Sequence, residues 1–319
     1  MIIVFGSNVL DIFFDLADLP PADTAKHLAE HVEAPGGKGA NQAVAAARAG
    51  AEVRFYGALG DGGHGRQMYK NLGINKVDVS GIEILEGVPS GLATIFVDER
   101  DGTHRVVVSH GANLKAKQST IPDKILNRDA IVLVQAELPL AETEALLVRA
   151  KKGGARTVMN LAPAKEISET MLKNLDIIVL NEHEANLLGE HVGIDTADKI
   201  SFATALYSRY NLTTIVTLGP DGAICCAPEG LITVSSLKIK PVDTIGAGDA
   251  FVGYLCAGLD RGLPLSESLR HAAVAGSLAC TKMGAQVALP QPEEVMQHLN
   301  QIQVGGTTTE PSQNAKLAL

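Results

Sequence analysis

The sequence has no tryptophan, few aromatic residues (4%), and only four cysteines, none of them in a C-x-x-C pair. Two of the four, Cys225 and Cys226, are adjacent, so neither a zinc site nor a disulfide framework is indicated. We interpret them as small buried hydrophobic residues of a protein in a reducing compartment. This predicts a cytoplasmic location.

Long apolar runs and clustered basic charge are also missing. No apolar stretch approaches the roughly 18 residues needed to cross a bilayer. The opening segment Met1–Phe5 lacks the basic region of a signal peptide, and it is predicted to be a buried strand. The net charge of −9 argues against nucleic acid or an anionic membrane as the main partner.

A chain of 319 residues, 46% of them hydrophobic, can bury a large core. Short, mostly β-branched apolar runs alternate with segments of helical periodicity, which predicts a mainly parallel sheet covered by helices on both faces. The predicted strands after the first are 52–57, 131–134, 157–160, 177–180 and 214–218. The predicted helices are 42–49, 65–72, 140–152, 167–174, 183–189 and 197–209.

Two regions, 12–34 and 82–110, interrupt this alternation with strand-like segments that have no helix between them. In the second region, the runs 92–97 and 104–108 flank Asp101-Gly102, a hairpin-type turn. A small sheet of this kind cannot bury both of its faces alone, so we expect it to cover a ligand cleft, a partner subunit, or both. The tail from about Val304 is polar and aperiodic, and it is predicted to be disordered.

The segment Asp243–Phe251 (DTIGAGDAF) leads from glycines directly into an apolar helical run. Free backbone N–H groups and the helix dipole make such a start an anion site, and phosphate is the usual anion. A carboxylate at Asp249 would repel that anion unless it takes a proton from a nucleophile attacking the phosphate. Alternatively, Asp249 is only a first-turn acid of the kind that helices favour.

Three other motifs are weaker. Gly36-Gly37-Lys38-Gly39 fails as a P-loop, because Val32 stands where its first glycine belongs and Gly39 where Ser or Thr belongs. Gly60–Gly65 matches G-x-G-x-x-G but does not follow the first strand, so a dinucleotide-binding oxidoreductase is a remote alternative. His183-Glu184 is not part of an H-E-x-x-H zinc motif.

Two segments, Gly36–Ala43 (GGKGANQA) and Asp243–Asp249, resemble the signatures of the PfkB, or ribokinase, family of carbohydrate kinases. Weaker similarity extends over Asn181–Glu184, Thr217–Gly222 and 282–285, in the family's order, up to about Pro292. The resemblance implies a ribokinase-like three-layer α/β/α domain with a mainly parallel central sheet and a small β-sheet lid. The core would comprise 1–11, 35–81 and 111–302, the lid 12–34 and 82–110, and the disordered tail 303–319.

The resemblance also implies a role for each matching residue in an ATP-dependent sugar kinase. Asp249 would deprotonate the sugar hydroxyl, while the amides of Gly246, Ala247 and Gly248 hold the developing phosphate charge. The implied sugar-binding residues are Asp11, Gly37, Lys38, Asn41 and Glu137, with Asp249 itself. Asn181 and Glu184 would organise Mg²⁺ through water.

The implied ATP-binding residues are Asn181, Thr217, Gly219 and Gly222. K⁺ would be held by Asp243 and the carbonyls of Ile245, Ala279 and Gly284. The lid would close over the sugar and pair two subunits into a homodimer.

The first signature departs from the family at Val9, where ribokinases carry asparagine two residues before the aspartate; here asparagine is one place earlier, at Asn8. Neighbouring strand residues face opposite sides, so Asn8 is not an obvious substitute. The leading substrate is ribose, phosphorylated at O5, with a nucleoside or another furanose or ketose as alternative. A catalytically dead sugar sensor is a third possibility, and the intact Gly246–Asp249 counts against it.

Overall fold

The computed structural model describes residues 1–16, 23, 30–98 and 104–307. Its strands are β1 (Ile2–Phe5), β2 (Val9–Leu16), β3 (Val32–Gly36), β4 (Val53–Gly60), β5 (Asp78–Leu85), β6 (Gly91–Asp98), β7 (His104–Ser109), β8 (Ile131–Gln135), β9 (Arg156–Asn160), β10 (Ile177–Asn181), β11 (Thr213–Thr217), β12 (Ala223–Ala227), β13 (Gly230–Val234) and β14 (Val304–Thr307). Its helices are α1 (Lys38–Arg48), α2 (Gly63–Ile74), α3 (Leu140–Gly153), α4 (Glu169–Lys173), α5 (Glu182–Val192), α6 (Lys199–Tyr210), α7 (Ala247–Asp260), α8 (Leu265–Ala279), α9 (Ala285–Ala288) and α10 (Pro292–His298).

Ten strands form the central sheet in the order β14-β13-β12-β11-β10-β9-β8-β1-β4-β5. The seven from β11 to β5 are parallel to their neighbours, and β12, β13 and β14 complete the sheet as antiparallel strands. Alternate residues of β1 enter two cores, Ile2 and Val4 on the side of α1, α7 and α8, Ile3 and Phe5 on the side of α3, α5 and α6. The prediction of a mainly parallel sheet between two helical layers is confirmed.

A separate four-stranded sheet has the order β3-β2-β6-β7. Strand β2 runs antiparallel to β3 and parallel to β6, and β6 pairs antiparallel with β7. The register places Val9 opposite Gly91 and Asp11 opposite Ala93, so these residues share one face. We call this four-stranded sheet the lid sheet.

Three predicted boundaries differ from the structure. Residues 9–11 and 35–36 belong to the lid sheet, because β2 and β3 pair along their whole length. Residues 82–85 belong instead to the central sheet, where β5 pairs with β4. The segment predicted as a disordered tail begins with β14, whose residues pair with β13; the rest of that tail, and the Asp101-Gly102 turn, lie outside the described residues.

Glycines allow two helices to approach the site closely. A Cβ at Gly39, in the first turn of α1, would lie 2.6 Å from Cα of Gly6 at the end of β1. A Cβ at Gly253 would lie 2.4 Å from Cβ of Ala45, where α7 crosses α1. The N-termini of α1 and α7 are thereby held together beside the carboxyl end of the central sheet.

Within the described ranges, no helix combines the length and the apolar character that crossing a membrane requires.

Candidate active site

A cavity of about 470 Å³ lies between the lid sheet and the carboxyl edge of the central sheet. It collects residues that are far apart in the chain: Asp11, Gly37, Lys38, Asn41, Glu137, Asn181, Glu184, Gly246, Gly248 and Asp249. All six residues predicted to bind sugar line this one cavity. We call it the sugar cavity.

Asp249 lies in the first turn of α7 and is buried, with 6% of its surface exposed. Both of its carboxylate oxygens accept hydrogen bonds from side-chain amides. Asn41 Nδ2 donates to Oδ2 at 2.9 Å, and Gln42 Nε2 donates to Oδ1 at 2.9 Å. An acid that only stabilised the helix dipole would need neither of these hydrogen bonds and would not need to line a cavity.

Three carboxylates surround the Lys38 side chain. Asp249, with Glu137 and Glu184, raises the pKa of Lys38 against the opposing effect of burial. Burial, together with the negative charges of Glu137 and Asp249, raises the pKa of Asp11 to about 7. The cavity therefore offers one firmly cationic group and several oxygen acceptors, as a polyhydroxylated ligand requires.

Glu137 is held by the start of α1. Its Oε2 accepts the backbone N–H of Lys38 at 2.9 Å and also the hydroxyl of Ser7. Gly37, with φ of +89°, turns the chain from β3 into the helix. A Cβ at the preceding Gly36 would lie 2.0 Å from Asp11 Oδ2, so glycine there makes room for the Asp11 carboxylate.

The part of the sugar cavity under the lid sheet is apolar. Its lining there consists of Val9, Ala93, Ile95, Val106 and Val108, and the strand register brings all five to the same sheet face. We call these five residues the apolar roof. Asp11 is the polar side chain that the lid sheet contributes to the cavity lining.

Asn8 does not replace the missing asparagine. It is buried and absent from the cavity lining, and within the described part of the chain its Nδ2 has no hydrogen-bond partner. Asn113 holds its main chain on both sides, accepting from Asn8 N at 3.0 Å and donating to Asn8 O at 2.9 Å. Val9 therefore occupies the family's asparagine position in contact with the ligand space.

A second cavity, of about 540 Å³, lies on the other side of the α7 N-terminus. It contains the predicted nucleotide residues Thr217, Gly219 and Gly222, and its walls are mainly apolar. A Cβ at Gly222 would lie 2.0 Å from the carbonyl oxygen of Val234, so this turn requires glycine. The two cavities share Thr217, Thr244 and Gly248, which places the start of α7 between them.

The backbone at this junction is arranged to receive an anion. Gly246 adopts φ of +80° as the N-cap of α7, and a Cβ at Gly248 would meet nothing within 4 Å. The Ala247 amide donates to Thr244 O at 3.3 Å, so one of the three predicted amide donors is engaged within the turn. The amides of Gly246 and Gly248 have no acceptor among the described residues.

Asn181 and Glu184 form a reciprocal capping box at the start of α5. Asn181 Oδ1 accepts from Glu184 N, and Glu184 Oε2 accepts from Asn181 N, each at 2.8 Å. Burial raises the pKa of Glu184, partly offset by the Asn181 N–H and by Lys38. Glu184 Oε1 remains for another partner, and Mg²⁺ commonly uses one or two carboxylates together with water and substrate phosphates. These residues fit a water-mediated Mg²⁺.

Asp243 connects two loops beside the α7 N-terminus. Its Oδ1 accepts from Ile245 N at 3.0 Å, and its Oδ2 accepts from Gly284 N at 2.9 Å. Each oxygen keeps a free lone pair, so the carboxylate can also contribute to a cation site built with backbone carbonyls. Across the ranges that the structure covers, no group of three or more His, Cys, Asp and Glu side chains is arranged to hold a metal by itself.

Gln42, Asn160 and Gln286 were not predicted from the sequence as site residues. Gln42 Nε2 donates to Asp249 Oδ1 and to Asn160 Oδ1, each at 2.9 Å, and Gln286 Nε2 donates to Asn41 Oδ1 at 3.0 Å. A glutamine within the alanine-rich run of α1 was a visible signal, because a polar residue on a buried helix face needs a partner. The partners themselves come from distant segments.

The family model described as "pfkB family carbohydrate kinase" matches residues 1–292. The chain belongs to the PfkB family of carbohydrate kinases. It is therefore an enzyme that transfers a phosphoryl group to an alcohol acceptor, and the resemblance noted in the sequence is confirmed.

Individual PfkB relatives are moderately similar. A ribokinase from Lactococcus lactis is 31% identical over 304 residues, which cover 94% of this chain and 97% of that protein. A deoxyribokinase from Salmonella typhi is 28% identical, over 94% of this chain and 98% of that protein. The structure of Arabidopsis thaliana ribokinase complexed with ribose and ATP aligns with a TM-score of 0.85 at 29% identity, covering 93% of this chain and 98% of that one.

Proposed function

We propose that this PfkB protein is an ATP-dependent pentose kinase, with ribose O5 as the leading acceptor. The observation that carries the proposal is the position of the α7 N-terminus between two cavities. One contains charged and amide side chains beneath an apolar roof and suits a sugar, and the other is mainly apolar and suits a nucleoside. Ribokinases at about 30% identity, and the ribose- and ATP-bound structural neighbour, support this choice of substrates.

In this proposal, Asp249 accepts the proton of the sugar hydroxyl as its oxygen attacks the γ-phosphorus. The bond between that phosphorus and the β,γ-bridging oxygen breaks, and ADP leaves. The free amides of Gly246 and Gly248 stabilise the charge on the transferred group. Lys38, Asn41, Gly37, Asp11 and Glu137 hold the sugar so that the reacting hydroxyl faces Asp249.

The remaining residues bind the phosphate donor and its ions. Thr217, Gly219 and Gly222 line the nucleoside cavity. Asn181 and Glu184 would organise the waters of Mg²⁺, which neutralises phosphate charge when bound. Asp243, with the carbonyls of Ile245, Ala279 and Gly284, would hold K⁺ against the α7 turn. The proposed compartment is the cytoplasm, because the enzyme needs ATP and because its four cysteines are free, as in a reducing compartment.

The test is an ADP-release assay with ribose, 2-deoxyribose, other pentoses, hexoses and nucleosides. We expect Asp249→Asn to lower turnover about 10²–10⁴-fold, the usual contribution of a general base. ATP binding, measured by calorimetry, should survive because a repelling charge is removed. Glu267, a first-turn acid of α8, provides the matched control: Glu267→Gln should leave turnover unchanged. Near-normal turnover of Asp249→Asn would contradict the proposal.

A 2-deoxypentose is a second candidate acceptor, favoured by the apolar roof. Val9 offers no hydrogen bond where the family's asparagine would, so a sugar lacking one hydroxyl loses less here. The similarity to a deoxyribokinase supports this alternative. Higher kcat/KM for 2-deoxyribose than for ribose in the same panel would favour it over ribose.

A further inference from the structure

Asp249 lies at the inner end of a connected set of buried side-chain amides. One branch runs from Gln135 through Gln42, since Gln135 Nε2 donates to Gln42 Oε1 at 2.7 Å and Gln42 Nε2 donates to Asp249 Oδ1 at 2.9 Å. Gln135 ends β8, whereas Gln42 lies in α1. Both are almost fully buried, at 1% and 0% exposure.

The second branch reaches the other carboxylate oxygen. Asn71 Nδ2 donates to Gln286 Oε1 at 2.7 Å, Gln286 Nε2 donates to Asn41 Oδ1 at 3.0 Å, and Asn41 Nδ2 donates to Asp249 Oδ2 at 2.9 Å. This branch joins α2, α9 and α1 to α7. We call the two branches together the amide relay.

Every amide in the relay has the same polarity. Gln42 Oε1, Asn41 Oδ1 and Gln286 Oε1 each accept from the next residue outward, so the NH₂ groups point inward to Asp249. Gln135 Oε1, at the outer end of its branch, has no hydrogen-bond partner among the described residues. Gln42 illustrates the constraint: a flipped amide would present its oxygen to both Asp249 Oδ1 and Asn160 Oδ1, with no proton between them. Asn160 is fixed in turn, because its Nδ2 donates to Val179 O at 3.1 Å.

The two amide bonds hold the Asp249 carboxylate in one orientation, and each oxygen keeps a lone pair for another donor. Hydrogen bonds in a connected buried chain also strengthen one another. Orientation matters for proton transfer, because the accepting oxygen must lie within hydrogen-bond distance of the attacking hydroxyl.

We propose that Gln42 is a positioning residue for phosphoryl transfer, which orients Asp249 and is itself oriented by Gln135. The assignment rests on the proposed function, in which Asp249 is the base. Gln42 does not line the sugar cavity, whereas Asn41 does, so Gln42 acts on turnover through Asp249 and not through contact with the sugar.

The test is Gln42→Met, which keeps the length of the side chain and removes both hydrogen-bonding groups. We expect kcat to fall about 10- to 100-fold, the size expected for losing one hydrogen bond to a charged group. KM values for sugar and ATP should stay within about threefold. The exposed Gln67→Met on α2 is the matched control and should leave all three constants unchanged.

A second arm repeats Gln42→Met in the Asp249→Asn protein. A residue that acts only through the base has nothing left to position, so the residual turnover should change less than about twofold. An equal fall of kcat in both backgrounds would indicate a purely structural role and overturn the inference. Should Gln42→Met fail to fold by circular dichroism, Gln135→Met on the same branch is judged by the same two criteria, because Gln135 orients Gln42 and does not line the sugar cavity.

Two outcomes separate a failure of the positioning role of Gln42 from a failure of the proposed kinase mechanism. If Asp249→Asn abolishes turnover while Gln42→Met leaves kcat unchanged, the amide relay has no positioning role but the kinase mechanism stands. If Asp249→Asn retains near-normal turnover, Asp249 is not the base, and both proposals fall together.

Discussion

Val9 is the residue at which this chain departs from its family, and the structure locates it in the wall of the sugar cavity. The strand places Val9 and Asp11 on one face, whereas Asn8 is buried outside the cavity and held by Asn113. A hydroxyl of a bound sugar at this point of the wall would meet a methyl group instead of an amide.

We expect Val9→Asn to raise kcat/KM for ribose relative to 2-deoxyribose. A site that hydrogen-bonds a hydroxyl can reject an analogue lacking it by up to about 10⁴–10⁵-fold, and an apolar wall discriminates far less. Competition assays with the two sugars measure the ratio, and Val88→Asn, outside the cavity, is the control. A wild-type protein already strictly selective for ribose, and unchanged by Val9→Asn, would assign that hydroxyl to another group.

Asp11 makes stability depend on pH. Its pKa, raised by burial and by Glu137 and Asp249, is about 7 in the folded protein against an ordinary 3.8. Between those values the folded state holds a proton that the unfolded chain has released, so this group's contribution to the free energy of unfolding falls as pH rises through that window. Above about pH 7 the contribution of Asp11 to the free energy of unfolding no longer changes with pH.

We therefore expect Asp11→Asn to reduce the loss of Tm between pH 5 and pH 8 in the ligand-free protein. Thermal unfolding of wild type and variant at the two pH values gives the difference directly. Identical pH dependence in both proteins would mean that Asp11 ionises in the folded protein as it does in the unfolded chain.

At the scale of elements, the loop before α7 depends on Asp243. Its carboxylate joins the turn at Ile245 to the loop at Gly284, and a Cβ at Gly246 would lie only 3.0 Å from Cα of Ala285. The shape of the turn at the start of α7 is thus coupled to that loop. A cation held by Asp243 and nearby carbonyls would tighten the same connection.

We expect activity to rise when K⁺ replaces Na⁺ or Li⁺, and Asp243→Ala to be slower and insensitive to the cation. Initial rates in the three chloride salts at constant ionic strength measure this. Asp198 likewise accepts two backbone N–H groups, at the start of α6, so Asp198→Ala should retain the salt response. Equal wild-type rates in all three salts would remove the cation from the mechanism.

At the scale of the molecule, the lid sheet exposes apolar surface on both faces. Val106 and Val108 on the cavity face are 54% and 44% exposed, and Val107 on the opposite face is 64% exposed. An exposed row of valines on an edge strand favours association with another chain. A second copy of this protein, related by a two-fold axis, is the partner that we propose.

Sedimentation at micromolar concentration should therefore show a dimer, and Val107→Lys should shift it towards monomer. Ile74, 69% exposed at the end of α2, provides the control: Ile74→Lys should leave the dimer intact. A wild-type protein that sediments only as a monomer would refute the proposal.

The layers of the fold and the start of α7 could be predicted from the sequence alone, whereas α1 begins at Lys38, before its predicted start at Gln42. Strand and helix periodicity depend on neighbouring residues, so α3 and α6 were predicted to within about two residues of their observed bounds. The spacing of the apolar residues after Asp249 indicated a helix, and it placed the preceding glycines at the helix N-terminus. Those are local properties.

The surroundings of Asp249, and the side chains that the lid sheet turns towards the sugar cavity, depend on the tertiary structure. Asn41 and Asp249 are 208 positions apart, and Gln286 lies 245 positions from Asn41. No local pattern specifies such pairs. Nor does a local pattern specify the strand register that turns Val106 inward, or the pairing of β14 with β13 in a polar segment. These depend on how helices and strands pack, since a buried amide finds its partner only after distant segments meet.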